Sequence, residues 1–452
     1  MHKSLIIICL LLFSTAGKAQ QKGNYSFNLE EAIQFALDSN YTVLNARRDI
    51  AIALKQKWET TASGLPQIDG AVNYTNNLKQ PVTLLPGEIA GGAPGTFVPI
   101  TFGTKQSASA TATLNQLIFD GSYLVGLKAA KAFLDYSENA SEKTSLEVRK
   151  GVINAYGSVL LSEELVAIFE KNKKNLEKNI YETRKIYENG LTEEESVEQL
   201  EITLLDIESQ LNNAKRSASI ARQMFNVSLG IDADENVEFK DSLDDLAQQN
   251  ISLTLLDDTS SIEENVDYKI AYNLTEQRDL EVQLAKSKAL PTLSAFLNYG
   301  TAANSEEFSF LKNEQIWYQS SVLGFNLNVP IFSSGMRSAK TQQAKIALEK
   351  AKTSLDEAVQ NIKLEVNTAK SNYQFATENY ENSKKNIALA ERIEHKNQIK
   401  FTEGLSTSFD LRQAQTQLYS AQQQYFQSML DVITTKATLE TVLNKPQLRN
   451  NN

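Results

Sequence analysis

Tyr187-Glu188-Asn189-Gly190-Leu191-Thr192 opens the stretch that decides the fold, which continues to Leu229. After this turn, apolar or small residues recur at alternating steps of three and four, at Val197, Leu200, Leu204, Ile207, Leu211, Ala214, Ala218, Ala221 and Phe225. That spacing is the heptad seam of a coiled-coil helix. The pattern returns after Phe401-Thr402-Glu403-Gly404-Leu405-Ser406, at Leu411, Ala414, Leu418, Ala421, Tyr425, Ser428, Val432, Thr435 and Leu439. The sequence therefore predicts a duplicated helical hairpin with a Gly-Leu turn.

Outward from these turns, the same order of elements occurs twice. Each predicted repeat contains a helix, a β-hairpin, a long helix without proline and a further helix. The predicted segments are a first repeat at 20–230 (β-hairpin 65–118, long helix 122–188, helix 192–229), an acidic equatorial connector at 231–261, a second repeat at 262–444 (β-hairpin 290–332, long helix 336–402, helix 407–444) and a polar tail at 445–452. The connector is expected to be irregular and solvated, because it is rich in aspartate and glutamate.

The predicted strands alternate with a period of two and have small or polar faces. Before residue 118, the alanines at 108, 110 and 112 alternate with Ser109, Thr111 and Thr113. Such faces suit a strand of a membrane barrel, with lipid on one side and a wet lumen on the other. A soluble β-hairpin is the alternative. The preceding loop contains Gly91-Gly92-Ala93-Pro94-Gly95, which lacks the lysine of a phosphate loop and is expected to be flexible.

Composition excludes several classes of function. Residues 1–19 are predicted to be a secretory signal peptide that ends at Ala19 and contains the only cysteine, Cys9. The mature chain would then keep one histidine, His395, which excludes thiol catalysis, disulfides and Cys/His zinc sites. The formal net charge of −10 disfavours nucleic acid as a partner. We therefore expect no enzyme activity, no catalytic residues, no metal and no cofactor; an envelope hydrolase would need a role for His395.

Helix lengths indicate how the elements of each repeat pack. The predicted short helices at 41–64 and 192–229 together nearly match the long helix at 122–188, and the second repeat behaves alike. Each repeat is therefore expected to form a column two helices wide, crowned by a β-hairpin. Two columns do not close a tube, and four strands leave open edges, which lipid does not tolerate. The sequence thus predicts an oligomer.

Over nearly its whole mature length, the chain resembles the TolC-like outer-membrane efflux proteins, the outer membrane factor family. The resemblance rests on the duplicated order of elements, on Phe401-x-x-Gly404-Leu405-Ser406 and on Asp410-Leu411-x-x-Ala414-x-x-x-Leu418. It implies a mostly α-helical fold with transmembrane β structure. A long α-helical coiled-coil barrel would join four β-strands per subunit, and three subunits would share one twelve-stranded outer-membrane barrel. The helical part would extend into the periplasm of a Gram-negative bacterium.

The resemblance also implies a function and partners. Such a channel is the exit duct of a tripartite efflux or type I secretion system, and it passively conducts substrates from an inner-membrane pump across the periplasm and outer membrane. The expected partners are two further copies of the chain in a homotrimer, a periplasmic adaptor (membrane fusion protein), an inner-membrane transporter and outer-membrane lipid. The alternative is a secreted coiled-coil scaffold or adhesin without a channel, which would be soluble without detergent.

By the same resemblance, the two turns form the periplasmic tip, where the adaptor docks and the pore is closed at rest. The docking residues would be Gly190, Leu191, Thr192, Gly404, Leu405 and Ser406. A simpler interpretation is that each glycine permits a positive φ at a helix end and each leucine packs in the seam.

Asp410, with Arg412 and Gln413 beside it, would line the pore constriction. Three copies of Asp410 around a threefold axis would favour cations at the entrance and raise the pKa of the carboxylates. Some family members have a second aspartate where this chain has Gln413, so a weaker ring is expected. The simpler interpretation is an acidic residue that interacts with the dipole of its helix.

An acidic tip follows the first turn. It comprises Glu193, Glu194, Glu195 and Glu198. Thr192 and Glu195 have the spacing of a capping box, which would account for one of these glutamates. The others would face solvent or a basic adaptor.

Overall fold

A computed structural model describes residues 25–251, 255–257 and 261–445. The predicted signal peptide, including Cys9, and residues 446–452 of the predicted tail lie outside the described residues. The chain divides into two compact units. Within the described residues, the first, called here the helical unit, comprises 25–49, 138–270 and 356–445, and the second, the sheet unit, comprises 50–137 and 271–355.

Most of the described chain is helical, with strands as the smaller part of its regular structure. The helices are α1 Leu29–Ser39, α2 Tyr41–Ala62, α3 Gly121–Glu188, α4 Glu194–Leu229, α5 Leu243–Asn250, α6 Val266–Ser287, α7 Met336–Thr402 and α8 Ser408–Val442. The strands are β1 Tyr25–Phe27, β2 Gln67–Asn76, β3 Val82–Pro86, β4 Phe97–Thr101, β5 Gln106–Asp120, β6 Val237–Phe239, β7 Thr292–Ser305 and β8 Tyr318–Asn328.

The heptad seams supply much of the core of the helical unit. The buried seam residues are Val197, Leu200, Ile207, Leu211, Ala214, Ala221 and Phe225 on α4, and Leu411, Ala414, Leu418, Ala421, Ser428, Val432 and Leu439 on α8. In one apolar cluster, the first part of the α4 seam packs with Phe169, Leu176 and Ile180 of α3. Full burial of a leucine or isoleucine contributes about 1.5–3 kcal/mol. The three-and-four spacing therefore identifies a large part of this core.

The segment between the two predicted repeats is more ordered than its composition indicates. β6 pairs in parallel with β1, and α5 begins after Ser242, whose side chain caps the helix. Leu243 and Leu246 of α5 are each only 1% exposed. The prediction of an irregular, solvated connector at 231–261 is therefore wrong in this part. A short amphipathic helix turns its leucines inward, and its acidic residues remain on the solvent side.

The sheet unit contains one antiparallel sheet with the strand order β2-β5-β7-β8. One row of directly paired residues across the four strands is Ile68, Leu114, Leu297 and Leu323, and the adjacent row is Asp69, Thr113, Asn298 and Val322. Successive residues of a strand point to opposite sides. One face of the sheet is therefore apolar and the other mainly polar. The apolar face stays exposed in the chain, with Ile68 72% and Leu323 67% exposed.

The loop between β2 and β5 contains a small hairpin that the sequence did not predict. β3 and β4 pair in antiparallel register from Val82–Thr101 to Pro86–Phe97. At its tip the Gly87 amide donates a hydrogen bond of 2.6 Å to the Thr96 carbonyl. Gly91-Gly92-Ala93-Pro94-Gly95 lies in the loop between these two strands. The strands themselves were not predicted because their prolines disfavour a strand assignment, although an isolated hairpin tolerates proline on its edges.

Candidate functional site

Both predicted turns end a long helix with the same backbone geometry. Gly190 has a φ of 74° and Gly404 a φ of 72°, a region that glycine adopts without steric cost. Each glycine amide donates to the carbonyl three residues earlier, at 2.8 Å for Gly190 and 3.0 Å for Gly404. The next amide donates to the carbonyl five residues earlier, at 3.1 Å for Leu191 and 2.7 Å for Leu405. These are Schellman motifs, which satisfy the last carbonyls of the helix.

The leucine that follows each glycine points into solvent. Leu191 and Leu405 are each 78% exposed. The simpler interpretation, in which these leucines pack in the seam, is wrong within this chain, because the buried seams begin later, at Val197 and Leu411. The two leucines are therefore exposed apolar points at matching positions of the two turns.

The helices that follow the turns begin side by side. The Ser408 hydroxyl lies 3.0 Å from the Ser196 hydroxyl, and Ser196 is also bonded by the Thr192 hydroxyl at 3.2 Å. Farther along the same pair of helices, the Gln423 side chain donates to Gln210 at 3.0 Å. Hydrogen bonds thus tie the start of α4, just after the first turn, to the start of α8, just after the second. The helical unit therefore brings the two predicted docking segments together.

The first of these helices lacks the cap that the sequence predicts. α4 begins after Glu193, and no side chain bonds its first amides at that position. The predicted capping box between Thr192 and Glu195 is therefore wrong. The helix starts one residue later than the spacing requires, and the Thr192 hydroxyl bonds Ser196 instead.

The second helix has a complete capping box formed by Thr407 and Asp410. The Thr407 hydroxyl and amide donate to Oδ2 of Asp410 at 2.7 and 3.1 Å, and the Ser406 hydroxyl donates to the same oxygen at 3.2 Å. These bonds, with the Thr407 hydroxyl first, lower the pKa of the Asp410 carboxyl because they favour its charged form. Within the single chain, Asp410 is thus an exposed, ionised cap.

The residues next to this cap stay on the surface. The Arg412 guanidinium lies over the Phe409 ring, 5.3 Å from its centroid, and Gln413 is exposed. The acidic tip residues Glu193, Glu194, Glu195 and Glu198 are also all exposed. In the described part of the chain, no group of three or more His, Cys, Asp or Glu side chains could hold a metal ion.

Buried polar pairs cross the helical unit beyond the turns. The Asn172 amide donates to Gln422 at 2.9 Å, and the Asn179 amide donates to Gln398 at 3.1 Å. Gln415 is only 1% exposed. Sequence analysis missed these residues, although a signal was present: the asparagines come three residues after Phe169 and Leu176 and so occupy seam positions themselves. Polar residues in a seam fix its register at a cost in stability.

Glu394 of α7 adds a titratable group to this polar interior. It is half-buried and bonded to Gln415. Burial raises the pKa of its carboxyl, against smaller lowering effects from Gln415 and His395. In the folded chain, the ionised form of Glu394 is therefore disfavoured relative to the unfolded chain.

Replacing Glu394 with glutamine is expected to raise the apparent Tm at pH 7. A raised pKa in the folded state means that the wild-type chain loses stability as pH rises through that pKa, whereas glutamine does not titrate. The two melting temperatures should converge at about pH 4 and below, near and beneath the ordinary glutamate pKa of about 4.3. Thermal melts of the purified protein at both pH values measure this. Glu391→Gln, on an exposed position of the same helix, is the control, and equal Tm values of Glu394→Gln and wild type at pH 7 would contradict the prediction.

Comparison with known proteins identifies the family. A family model described as outer membrane efflux protein matches residues 32–230 and 263–445. No curated protein matches the chain. Among solved structures, the outer membrane protein VceC of Vibrio cholerae has a TM-score of 0.74 at 16% identity, covering 92% of this chain and 96% of that one. The CmeC outer membrane channel of Campylobacter jejuni has a TM-score of 0.72 at 16% identity, covering 92% and 85%.

The open-state MtrE outer membrane channel of Neisseria gonorrhoeae has a TM-score of 0.68 at 18% identity, covering 92% of this chain and 89% of that one. At these identities the structures are alike in fold, and the family model carries the assignment. The chain therefore belongs to the outer membrane efflux protein family, as a TolC-like protein of the Gram-negative outer membrane whose helical part lies in the periplasm.

Proposed function

We propose that the chain is the exit duct of a tripartite efflux or type I secretion system. It conducts substrates passively from an inner-membrane pump across the periplasm and the outer membrane, and it is gated at the periplasmic helical tip. Its partners are a periplasmic adaptor and an inner-membrane transporter. Family membership supports an outer-membrane channel in an efflux system; the assembly, the gate and the docking residues are inferred from the resemblance to that family, and the geometry of the turns is compatible with them.

The observation that carries the proposal is the four-stranded sheet with one apolar and one polar face. An apolar row such as Ile68–Leu114–Leu297–Leu323 is costly in water, and burying it gains about 25 cal/mol per Å². Lipid on this face and a wet lumen on the other satisfy both faces. In a soluble scaffold, the apolar face of this sheet would be exposed to water.

The open edges of the sheet support a homotrimer. β2 and β8 are its two outer strands, and an unpaired edge is not tolerated in lipid. Pairing of β8 of one subunit with β2 of the next closes a barrel when three copies contribute twelve strands. Exposed apolar residues on the helices, such as Ile202 and Leu205 of α4 and Leu364 and Phe375 of α7, supply contacts between subunits.

Purification of the full chain tests this proposal. We expect it to require detergent and to sediment as three subunits, and to conduct ions after reconstitution in planar bilayers. A monomer that stays soluble in buffer after detergent removal would contradict the channel and favour the secreted scaffold or adhesin.

We place the adaptor contact at the two turns, with Gly190, Leu191 and Thr192 in one and Gly404, Leu405 and Ser406 in the other. The exposed leucines provide apolar anchors, and apolar anchors with a polar rim are the usual composition of a binding centre. The glutamates after the first turn form an acidic rim, which fits a basic adaptor surface. The glycines hold the backbone of each turn.

We place the constriction at Asp410, with Arg412 and Gln413 beside it. Asp410 is exposed at the start of α8, and its carboxylate is ionised and held by Thr407. Three such carboxylates around one axis concentrate negative potential at the entrance. Gln413 adds no charge, so the ring is weaker than one built from two aspartates per subunit.

Replacing Asp410 with alanine is expected to raise single-channel conductance severalfold and to reduce cation preference, because both the charge and a tip hydrogen-bond acceptor are lost. Planar-bilayer recordings of the reconstituted protein measure both quantities. Thr407→Ala is the matched control, because it removes the capping hydroxyl and leaves the carboxylate in place. Unchanged conductance and cation preference in Asp410→Ala would exclude Asp410 from the constriction.

A further inference from the structure

The hairpin of β3 and β4 has one exposed face that is apolar except for Thr101. Directly opposite residues of antiparallel strands project to the same side, so Val82, Leu84, Phe97 and Pro99 share a face. Val82, Leu84 and Phe97 are 60%, 61% and 62% exposed. The opposite face differs, since Leu85 and Ile100 on it are half-buried. β3 and β4 contain no charged residue.

Backbone hydrogen bonds and close glycine packing define the tip of this hairpin. Its tip is closed by the Gly87–Thr96 backbone bond of 2.6 Å and a further bond of 2.6 Å from the Gly92 amide to the Gly87 carbonyl. A Cβ on Gly87 would lie 2.0 Å from the Thr96 hydroxyl, so the close approach requires glycine. A hairpin held in this way keeps its apolar face in a fixed arrangement.

The position of the hairpin indicates which surface the apolar face meets. Asn76 at the end of β2 pairs with Gln106, and Gln106 pairs with Ser305 of β7. The hairpin therefore leaves the sheet at the same end as the loop that joins β7 and β8. The helices α3, α6 and α7 connect to the opposite end. Because the helical part is periplasmic, the hairpin lies on the outer side of the membrane.

Aromatic residues cluster at this end of the sheet. Tyr74 contacts Phe308 and Phe310 with centroid distances of 5.8 and 5.9 Å, and Phe310 contacts Trp317 at 6.3 Å. Such aromatic girdles lie at the membrane interface of outer-membrane barrels. The hairpin begins at Val82, eight residues beyond Tyr74, so it lies within reach of the outer headgroup layer, which is about 5–8 Å thick.

We propose that the β3–β4 hairpin lies on the outer leaflet and inserts Val82, Leu84, Phe97 and Pro99 at the boundary of headgroups and acyl chains. The hairpin would extend the apolar lipid-facing surface of the sheet beyond the barrel wall. The absence of charged residues on both strands favours lipid over a protein partner on this face, and Glu88, the acidic residue at the tip, is exposed to solvent. This inference rests on the proposed membrane position of the sheet.

Site-specific labelling of the full mature chain tests it, since Cys9 lies in the predicted signal peptide and the remainder has no cysteine. Leu84→Cys and Phe97→Cys are labelled with an environment-sensitive fluorophore and reconstituted in phosphatidylcholine vesicles that contain headgroup- or acyl-spin-labelled lipid. Thr83→Cys, on the opposite face of the same strand, is the control. Val72→Cys, 83% exposed on the apolar face of the sheet, reports whether the sheet itself is in contact with lipid.

We expect at least twofold stronger quenching by spin-labelled lipid at positions 84 and 97 than at position 83. Equal quenching at 83 and 84, with strong quenching at 72, would overturn the hairpin proposal and leave the barrel intact. Blue-shifted emission at 84 without lipid quenching would also overturn it, because a protein surface would then cover the hairpin. Failure of quenching at 72 would refute the membrane position of the sheet, and this inference with it.

Discussion

Replacing Leu191 and Leu405 together with aspartate is expected to abolish docking of the periplasmic adaptor. Each leucine is 78% exposed in the chain, so neither change removes packing within the chain. If both side chains are anchors of the docking surface, each contributes about 2 kcal/mol, and their joint loss weakens docking roughly 10²–10³-fold. Co-purification of a tagged adaptor with the duct, and export in cells, measure the loss.

The control for this experiment is an equally exposed leucine in another part of the chain. Leu311, in the loop between β7 and β8, is 87% exposed, and Leu311→Asp should leave adaptor binding and export unchanged. If the double variant retains the adaptor at wild-type yield, the two turns are not the docking site. If each single variant already loses most of the adaptor, both turns contact it.

The second large effect is expected at a buried ion cluster in the helical unit. Glu440 of α8 lies 2.7 Å from Arg149 of α3 and 3.8 Å from Lys436, and all three side chains are at most 11% exposed. Glu440→Gln removes the carboxylate that pairs with Arg149 and lies near Lys436. Because breaking a buried ion pair removes much of the compensation of the remaining charge, we expect a loss of up to about 3–5 kcal/mol in stability.

Thermal unfolding in detergent at a fixed scan rate measures this loss. The matched control is Glu349→Gln, which breaks the exposed pair of Glu349 with Lys352 and should cost at most about 1 kcal/mol. A Glu440→Gln variant as stable as the control would show that the cluster is hydrated in solution. Replacing Arg149 and Lys436 with methionine and Glu440 with leucine together should recover much of the stability, since all three charges of the cluster are removed together.

Local pattern predicted the long helices and their seams well, because periodic burial is a property of consecutive residues. Leu200 and Leu411 are fully buried where the heptad spacing places them. The same reasoning failed where a tertiary contact decides the structure. α5 forms inside an acidic segment because Leu243 and Leu246 find a packed surface, and the composition of the segment alone gives no indication of that surface.

The backbone conformation of the candidate site was predicted correctly, whereas the environment of several of its side chains was not. The glycines at 190 and 404 have the positive φ that a helix-ending turn requires. The exposure of Leu191 and Leu405 was not predictable, because it depends on where the partner helix begins. The cap of α4 was mispredicted for a similar reason, since its N-cap lies at Glu193 and not at Thr192.

The parallel pair of β1 and β6 imposes an order of events on the secreted chain. The Leu29 amide donates to the Asp241 carboxylate at 2.7 Å across 212 residues of sequence, and the Tyr156 hydroxyl donates to the Phe27 carbonyl at 3.1 Å. A chain exported from its N-terminus delivers β1 first, yet its partner strand is made about 10–40 s later at roughly 5–20 residues per second. During that interval, β1 lacks its partner strand. β1 therefore reaches the periplasm early but pairs with its neighbouring strand late.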